Sequence, residues 1–240
     1  MKRLLILSLF SVILLSSCHQ WFGKHIRGNG NIKTETRTAG HFNSIDVSGS
    51  IDVYVKQDSV FSVKVEADEN LLEYIQVLDE GDVLRIRSER GYNLDGSKDI
   101  KVYVSSPSFK NFEASGACNI YGENQIIAAE MLSINLSGSS DVKMDVKAPK
   151  VEADLSGACN IQLKGETKDF KVQGSGSTDI KCMELMAENV DIDISGAGDA
   201  EVYASIKLNV EVSGAGDVKY KGNATVSQHV SGAGAVKKVE

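Results

Sequence analysis

One short unit recurs seven times in the second half of this chain, and it constrains the fold more than any other feature. Each copy opens on a Ser-Gly pair, at Ser115, Ser137, Ser156, Ser175, Ser195, Ser213 and Ser231. Successive serines lie 22, 19, 19, 20, 18 and 18 residues apart, and an outlying copy starts at Ser48. A unit of this length cannot bury a core alone and must stack on its neighbours.

The flanks of each pair alternate. Positions one, three and five before the serine are apolar (Leu136, Ile134 and Leu132; Ile194, Ile192 and Val190), as are positions five and seven after it (Val142 and Met144; Ile161 and Leu163). Polar residues such as Glu152, Asp154, Asp191 and Asp193 fall between them. This is strand periodicity on both sides of a turn, with glycine supplying the positive φ or the close backbone approach that the turn needs. The expected fold is all-β: a right-handed parallel β-helix, or β-solenoid, with coils of 18–22 residues over 111–240. The last copy is frayed, with Ala235 where Asp stood and Lys238 in an inward slot, as a cap on the final edge would be. Residues 41–110 read as an irregular, strand-rich continuation of the stack, and Asp68–Ile75 holds the one plausible helical turn.

The start of the chain reads as an address. Met1-Lys2-Arg3 precedes the apolar run Leu4–Leu15, which is shorter than the ~20 residues of a membrane span and has the size of a signal-peptide core. Leu15-Ser16-Ser17-Cys18 then resembles a bacterial lipobox, so residues 1–17 are expected to be removed, Cys18 to be lipidated and 18–40 to form a tether. His19 in place of aspartate favours the outer membrane, and the lack of an acidic cluster in 19–24 favours its periplasmic face over the cell surface. The formal net charge is −7, and losing Lys2 and Arg3 makes it −9. That balance argues against nucleic acid as a partner.

Several motifs carry a resemblance. Gly28-Asn29-Gly30-Asn31, the segment Phe42-Asn43-Ser44-Ile45-Asp46-Val47-Ser48-Gly49 and the recurrent Ser-Gly-Ala-Gly-Asp and Gly-Ala-Cys-Asn-Ile resemble the putative auto-transporter adhesin, head GIN domain family, over residues 28–240. The resemblance implies a β-helix-like fold in envelope proteins of Bacteroidetes and an adhesion-type role, with no catalytic motif to carry over.

Candidate chemistry is sparse. Asp141, Asp179, Asp199 and Asp217 share one outward slot, filled by Asn119 and Asn160 in other copies. Carboxylates stacked ~5 Å apart repel by about 1 kcal/mol even in water, so two readings stand: a calcium column, or side chains that hydrogen-bond the turn backbone. Cys118 and Cys159 fill equivalent turn positions two units apart, ~9.6 Å, too far for a disulfide; with Cys182 they read as small packing residues. His19, His25, His41 and His229 are scattered, and no catalytic residue, cofactor or zinc motif is expected. A sugar-cleaving enzyme using a pair such as Asp199 and Asp217 is one alternative, although the outward positions lack the expected arginine and aromatic platforms. A purely structural envelope component is another. The leading expectation is a lipid-anchored module that binds or scaffolds, with the membrane as one partner and a protein or glycan as the other.

Overall fold

The computed structural model describes residues 23–240. The expected signal peptide 1–17, Cys18 and residues 19–22 of the expected tether lie outside the described residues. The strands are β1 (Lys24–Arg27), β2 (Ile32–Arg37), β3 (Ser44–Gly49), β4 (Asp52–Gln57), β5 (Ser62–Asp68), β6 (Ile75–Glu80), β7 (Val83–Ser88) and β8 (Tyr92–Asp95). They continue as β9 (Lys101–Ser106), β10 (Asn111–Gly116), β11 (Asn119–Ile127), β12 (Met131–Gly138), β13 (Asp141–Gly214), β14 (Val218–Lys221), β15 (Thr225–Gly232) and β16 (Val236–Lys238). A single 3-10 turn, Leu72–Tyr74, stands where the helical turn was expected. β1 and β2 fall within the stretch read as tether.

All strands except the β1–β8 pair belong to one sheet of 14 strands, ordered β2-β5-β9-β4-β11-β13-β12-β10-β3-β7-β6, with β14, β15 and β16 attached to the far reaches of β13. The long β13 lends residues 141–147 to β11, 150–157 to β12, 200–203 to β14 and 207–214 to β15. Two arms of the sheet therefore face each other and join across the Ser-Gly turns, giving a nearly closed, barrel-like wall.

This corrects the expectation of a right-handed parallel β-helix. The sheet is mixed: β2 runs antiparallel to β5, β5 to β9, and β6 to β7. For β6 and β7 the reason lies in connection length. Parallel neighbours need a long crossover, whereas antiparallel ones can be joined by two residues. Glu80 and Val83 are joined by Gly81-Asp82 alone, with Gly81 at φ 71°, which makes a tight hairpin. Within residues 41–110, β3, β4, β7 and β9 keep parallel pairings, while β5 and β6 run back against β9 and β7.

Parallel pairing does hold along the Ser-Gly units. Ser48, Ser115, Ser137 and Ser156 are in register across β3, β10, β12 and β13, as are Gly49, Gly116, Gly138 and Gly157. Each of these glycines has positive φ. A Cβ on Gly116 would stand 2.5 Å from the Gly49 carbonyl oxygen, and one on Gly138 equally close to that of Gly116. No other residue satisfies both the torsion and the approach.

Between the arms lies a core of Val, Ile, Leu and Ala, each large aliphatic side chain contributing about 1.5–3 kcal/mol by leaving water. Ile134, Leu136, Val142, Ile161, Ile194, Val202 and Val212 are buried, as their alternation required. Phe109 and Phe112 add an aromatic pair with centroids 5.3 Å apart. Lys238 pairs with Tyr220 in an inward register position but is exposed, and its ammonium donates to Asn223 at 3.3 Å.

The Gly28-Asn29-Gly30-Asn31 segment closes the other end. Its backbone wraps Asp68, a fully buried carboxylate that accepts from Gly30 N–H at 2.6 Å, Ser97 N–H at 2.8 Å and Ser97 Oγ–H at 2.7 Å. Burial alone would raise the Asp68 pKa, but the hydrogen bonds from Ser97 and Gly30 outweigh it and hold the carboxyl below its usual value. Asn70 completes the clasp, accepting from Asn29 N–H at 2.9 Å and donating to the Arg27 carbonyl at 2.8 Å.

Candidate functional site

The Asp/Asn slot is a column of mutual hydrogen bonds. Asn119 donates to the Asp52 carboxylate at 2.8 Å, and Asn160 to that of Asp141 at 2.7 Å. Asp179 accepts from Lys181 at 2.5 Å. Asp199 accepts from the backbone N–H of Asp217 at 2.9 Å, and Asp217 from that of Ala235 at 2.9 Å. Each carboxylate named as a calcium candidate thus has a donor: a side chain for Asp141 and Asp179, and a backbone N–H of the next unit for Asp199 and Asp217. Among the described residues no three His, Cys, Asp or Glu side chains come together to hold a metal ion.

The turn cysteines point inward. Cys118 Sγ donates to the Ser115 carbonyl and Cys159 Sγ to that of Ser156, each at 3.4 Å, and Ser140 Oγ repeats the bond to Ser137 at 3.1 Å. All three described cysteines are buried and unpaired with one another. Burial pushes the Cys118 thiol up to about 11 and that of Cys182 to about 12, so neither is a nucleophile at neutral pH.

On the outer surface of the arm formed by β9, β4, β11 and β13, three tyrosines stand side by side. Tyr103 and Tyr54 are in register across β9 and β4, and Tyr54 and Tyr121 across β4 and β11. Ring centroids are 5.1 Å apart in both pairs, the first stacked and the second tilted. The next residue in the row is Lys143, paired in register with Tyr121. Burial raises the Tyr121 phenol, and Asp52 adds to the effect. Burial likewise raises Tyr103, with Glu66 adding. Both hydroxyls therefore remain donors through neutral and mildly alkaline pH.

Beside this row β11 departs from its partner. Tyr121 pairs with Lys143 and Gln125 with Asp145, so Gly122–Asn124 stand opposite Met144 alone. The bulge is held by Gln57. Its N–H donates to Asn124 Oδ1 at 2.9 Å, its carbonyl accepts from Asn124 Nδ2 at 2.9 Å, and its Oε1 accepts from Ile127 N–H at 2.6 Å. Bulges of this kind redirect side chains at binding sites. Here the bulge raises one wall of a groove of about 640 Å³, walled by Tyr54 and Tyr121 and lined by Gln125, Lys143, Gln162, Lys164 and Lys181, with Glu184 and Glu201 at the far rim. An apolar wall with a few convergent polar groups in this volume range is the usual form of a ligand site.

Sequence reading missed this groove and took the outward positions to lack aromatic platforms. Tyr54 and Tyr121 do share a position, six residues after Ser48 and Ser115. That coincidence was the available signal. Tyr103 belongs to no Ser-Gly unit, and only the β4–β9 pairing brings it in.

The family model described as "Putative auto-transporter adhesin, head GIN domain" matches residues 41–224. The chain belongs to this family. The matched region includes β3 to β14, and so both the antiparallel β6–β7 hairpin and all but the last Ser-Gly unit; β2, β15 and β16 lie outside it. Crystal structures agree. A "putative adhesin" from Bacteroides fragilis superposes with a TM-score of 0.84 at 22% identity, covering 89% of this chain and 100% of its own. A "putative lipid binding protein" from Parabacteroides distasonis gives 0.75 at 24%, and a "putative adhesin" from the same organism 0.72 at 25%; each covers 90% of this chain and 100% of its own. These likenesses establish the fold. No curated protein matches the chain. Adhesin naming across the family suggests an envelope-associated protein.

Proposed function

We propose that this head GIN domain is a lipid-anchored, envelope-facing binding module that holds an extended glycan in the groove beside Tyr54 and Tyr121. The observation that carries the reading is the groove itself: a rigid aromatic wall set against planar amides and lysines on a sheet surface. Sugars bring apolar C–H faces together with hydroxyl groups, and an aromatic wall lined by Gln125, Gln162 and Lys143 meets both needs. The walls carry charged side chains along their length, which favours a hydroxylated polymer over the acyl chain that the name of the lipid-binding relative would suggest.

The anchor follows from the lipobox-like Leu15-Ser16-Ser17-Cys18. With Cys18 lipidated and β1 beginning at Lys24, five residues intervene, a reach of roughly 18 Å at full extension. The module would then work close to its bilayer.

Two measurements test the proposal. Metabolic labelling with an alkyne fatty acid should mark the wild type and not Cys18→Ala; label retained in the variant removes the anchor. Binding to an array of envelope glycans should fall about tenfold in Tyr121→Ala, since interface tyrosines are commonly worth more than 1 kcal/mol. An array signal unchanged by Tyr54→Ala and Tyr121→Ala, in protein with normal thermal unfolding, places binding elsewhere.

A further inference from the structure

Among the described residues, four strands leave an edge of the large sheet open. β2 and β6 end the main path, and β15 and β16 each pair on one side only. An open edge offers a row of free N–H and C=O groups to any strand that arrives, and proteins ordinarily guard such edges with charge or proline. Three of the four are guarded. β2 carries Lys33, Glu35 and Arg37; β6 carries Asp79 and Glu80; β16 carries Lys237 and Lys238. β15 reads Thr225-Val226-Ser227-Gln228-His229-Val230-Ser231-Gly232, with no acid, lysine, arginine or proline.

We infer that β15 is a self-association edge, along which a second copy of this chain adds its own β15 antiparallel about a two-fold axis. Three features favour a second copy as the occupant. An isologous contact sets a strand against itself, and like charges directly opposite would oppose that; β15 alone among the open edges avoids the penalty. In the arm to which β15 belongs, Asp191 with Asp193 and Glu211 would have imposed it on the preceding strands. Finally, Val226 and Val230 pack on the core yet stay partly exposed, and Gln228 is exposed in the inward slot that Val210 fills one unit earlier. The last core layer is therefore unfinished on that side, and a matching layer from a second copy would complete it.

The test is disulfide trapping in bacteria that produce the full chain, with Ser227→Cys, Gln228→Cys and His229→Cys introduced singly. Of the chain's four cysteines, Cys118, Cys159 and Cys182 are buried and do not compete, and the wild-type control carries Cys18 unchanged. Mild oxidation should give a reducible homodimer for at least one of the three, and none for wild type or for Lys168→Cys on a distant exposed position. Adding Gln228→Lys to the trapping His229→Cys or Ser227→Cys variant sets a charge into the edge and should return the dimer to background without moving the thermal midpoint. Absence of dimer at all three positions, an adduct with a different protein, equal trapping at Lys168→Cys, or dimer persisting in folded Gln228→Lys protein would each overturn the inference.

Discussion

The side-chain amide of Asn160 donates to the carboxylate of Asp141 across 2.7 Å, from one Ser-Gly unit to the next. Asn119 does the same to Asp52. An amide between carboxylates turns a row of like charges into alternating donors and acceptors.

Replacing Asn160 by Asp removes that donor and sets two carboxylates face to face. The lost charge-assisted hydrogen bond and the new repulsion together cost about 2 kcal/mol, or roughly 4–8 °C in a chain of this size. Thermal melts at low and high salt check it, since salt should recover part of the loss. Asp199→Asn, by contrast, keeps an oxygen that accepts from Asp217 N–H and should change stability by less than about 0.5 kcal/mol. A calcium-dependent rise in the wild-type midpoint that Asp199→Asn abolishes would instead favour the metal reading of the column.

Two glycines with similar torsions should respond very differently to alanine. Gly81 has φ 71° and open space around its Cβ position; Gly138 has φ 83° and the Gly116 carbonyl oxygen 2.5 Å from where a Cβ would stand. Gly81→Ala is expected to cost about 1–2 kcal/mol from the left-handed torsion alone. Gly138→Ala adds displacement of the neighbouring unit and should cost about 3 kcal/mol or more. Denaturant titrations of both variants decide the matter, and equal losses would contradict the steric account.

Acid should attack the clasp around Asp68 first. Its pKa is lowered in the folded protein, so its contribution is complete above the unfolded value of about 3.9 and is lost as pH falls through the folded value. Asp68→Asn turns an amide toward the N–H groups of Gly30 and Ser97 and should cost about 2–3 kcal/mol at neutral pH. Its stability should also fall less between pH 5 and pH 2 than that of the wild type. Unfolding midpoints across that range, measured for both proteins, test the sign.

At the alkaline end the buried thiols contribute. With folded values of about 11 for Cys118 and about 12 for Cys182, above the unfolded value of about 8.5, their stabilising effect is intact below that pH. It is lost as pH rises toward the folded values. Native protein at pH 8 should leave both thiols untouched by an aromatic disulfide reagent and yield them on denaturation. Rapid native labelling of either would show that the core there is open.

Much of this architecture was legible in the residues. Alternation about the Ser-Gly pairs placed Leu136, Val142, Ile161 and Val212 inside, and the recurring glycine predicted the tight approach between units. Strand direction was not legible in the same way. Periodicity identifies Val83–Arg87 as a strand but is blind to its sense; the two-residue link Gly81-Asp82 held that information. The groove was hidden for a different reason. Its aromatic wall gathers Tyr54 and Tyr121, 67 positions apart, and its bulge is secured by Gln57, which lies 67 positions before Asn124. The shared place of Tyr54 and Tyr121 in their Ser-Gly units was the one local trace; nothing in the pattern ties Gln57 to Asn124.

The glycine column has one last consequence, for how such a chain can change length over evolutionary time. Each glycine needs only the glycine before it, so excising one whole unit between Gly157 and Gly176 would bring Gly138 and Gly176 into the relation that adjacent glycines already have. Removing a single residue within a strand would turn the side chains beyond it, as far as the next turn, to the wrong face. Descendants of this protein can therefore grow or shorten in blocks of about 18–22 residues, with single-residue changes confined to the turns and bulges, where the units already differ in length.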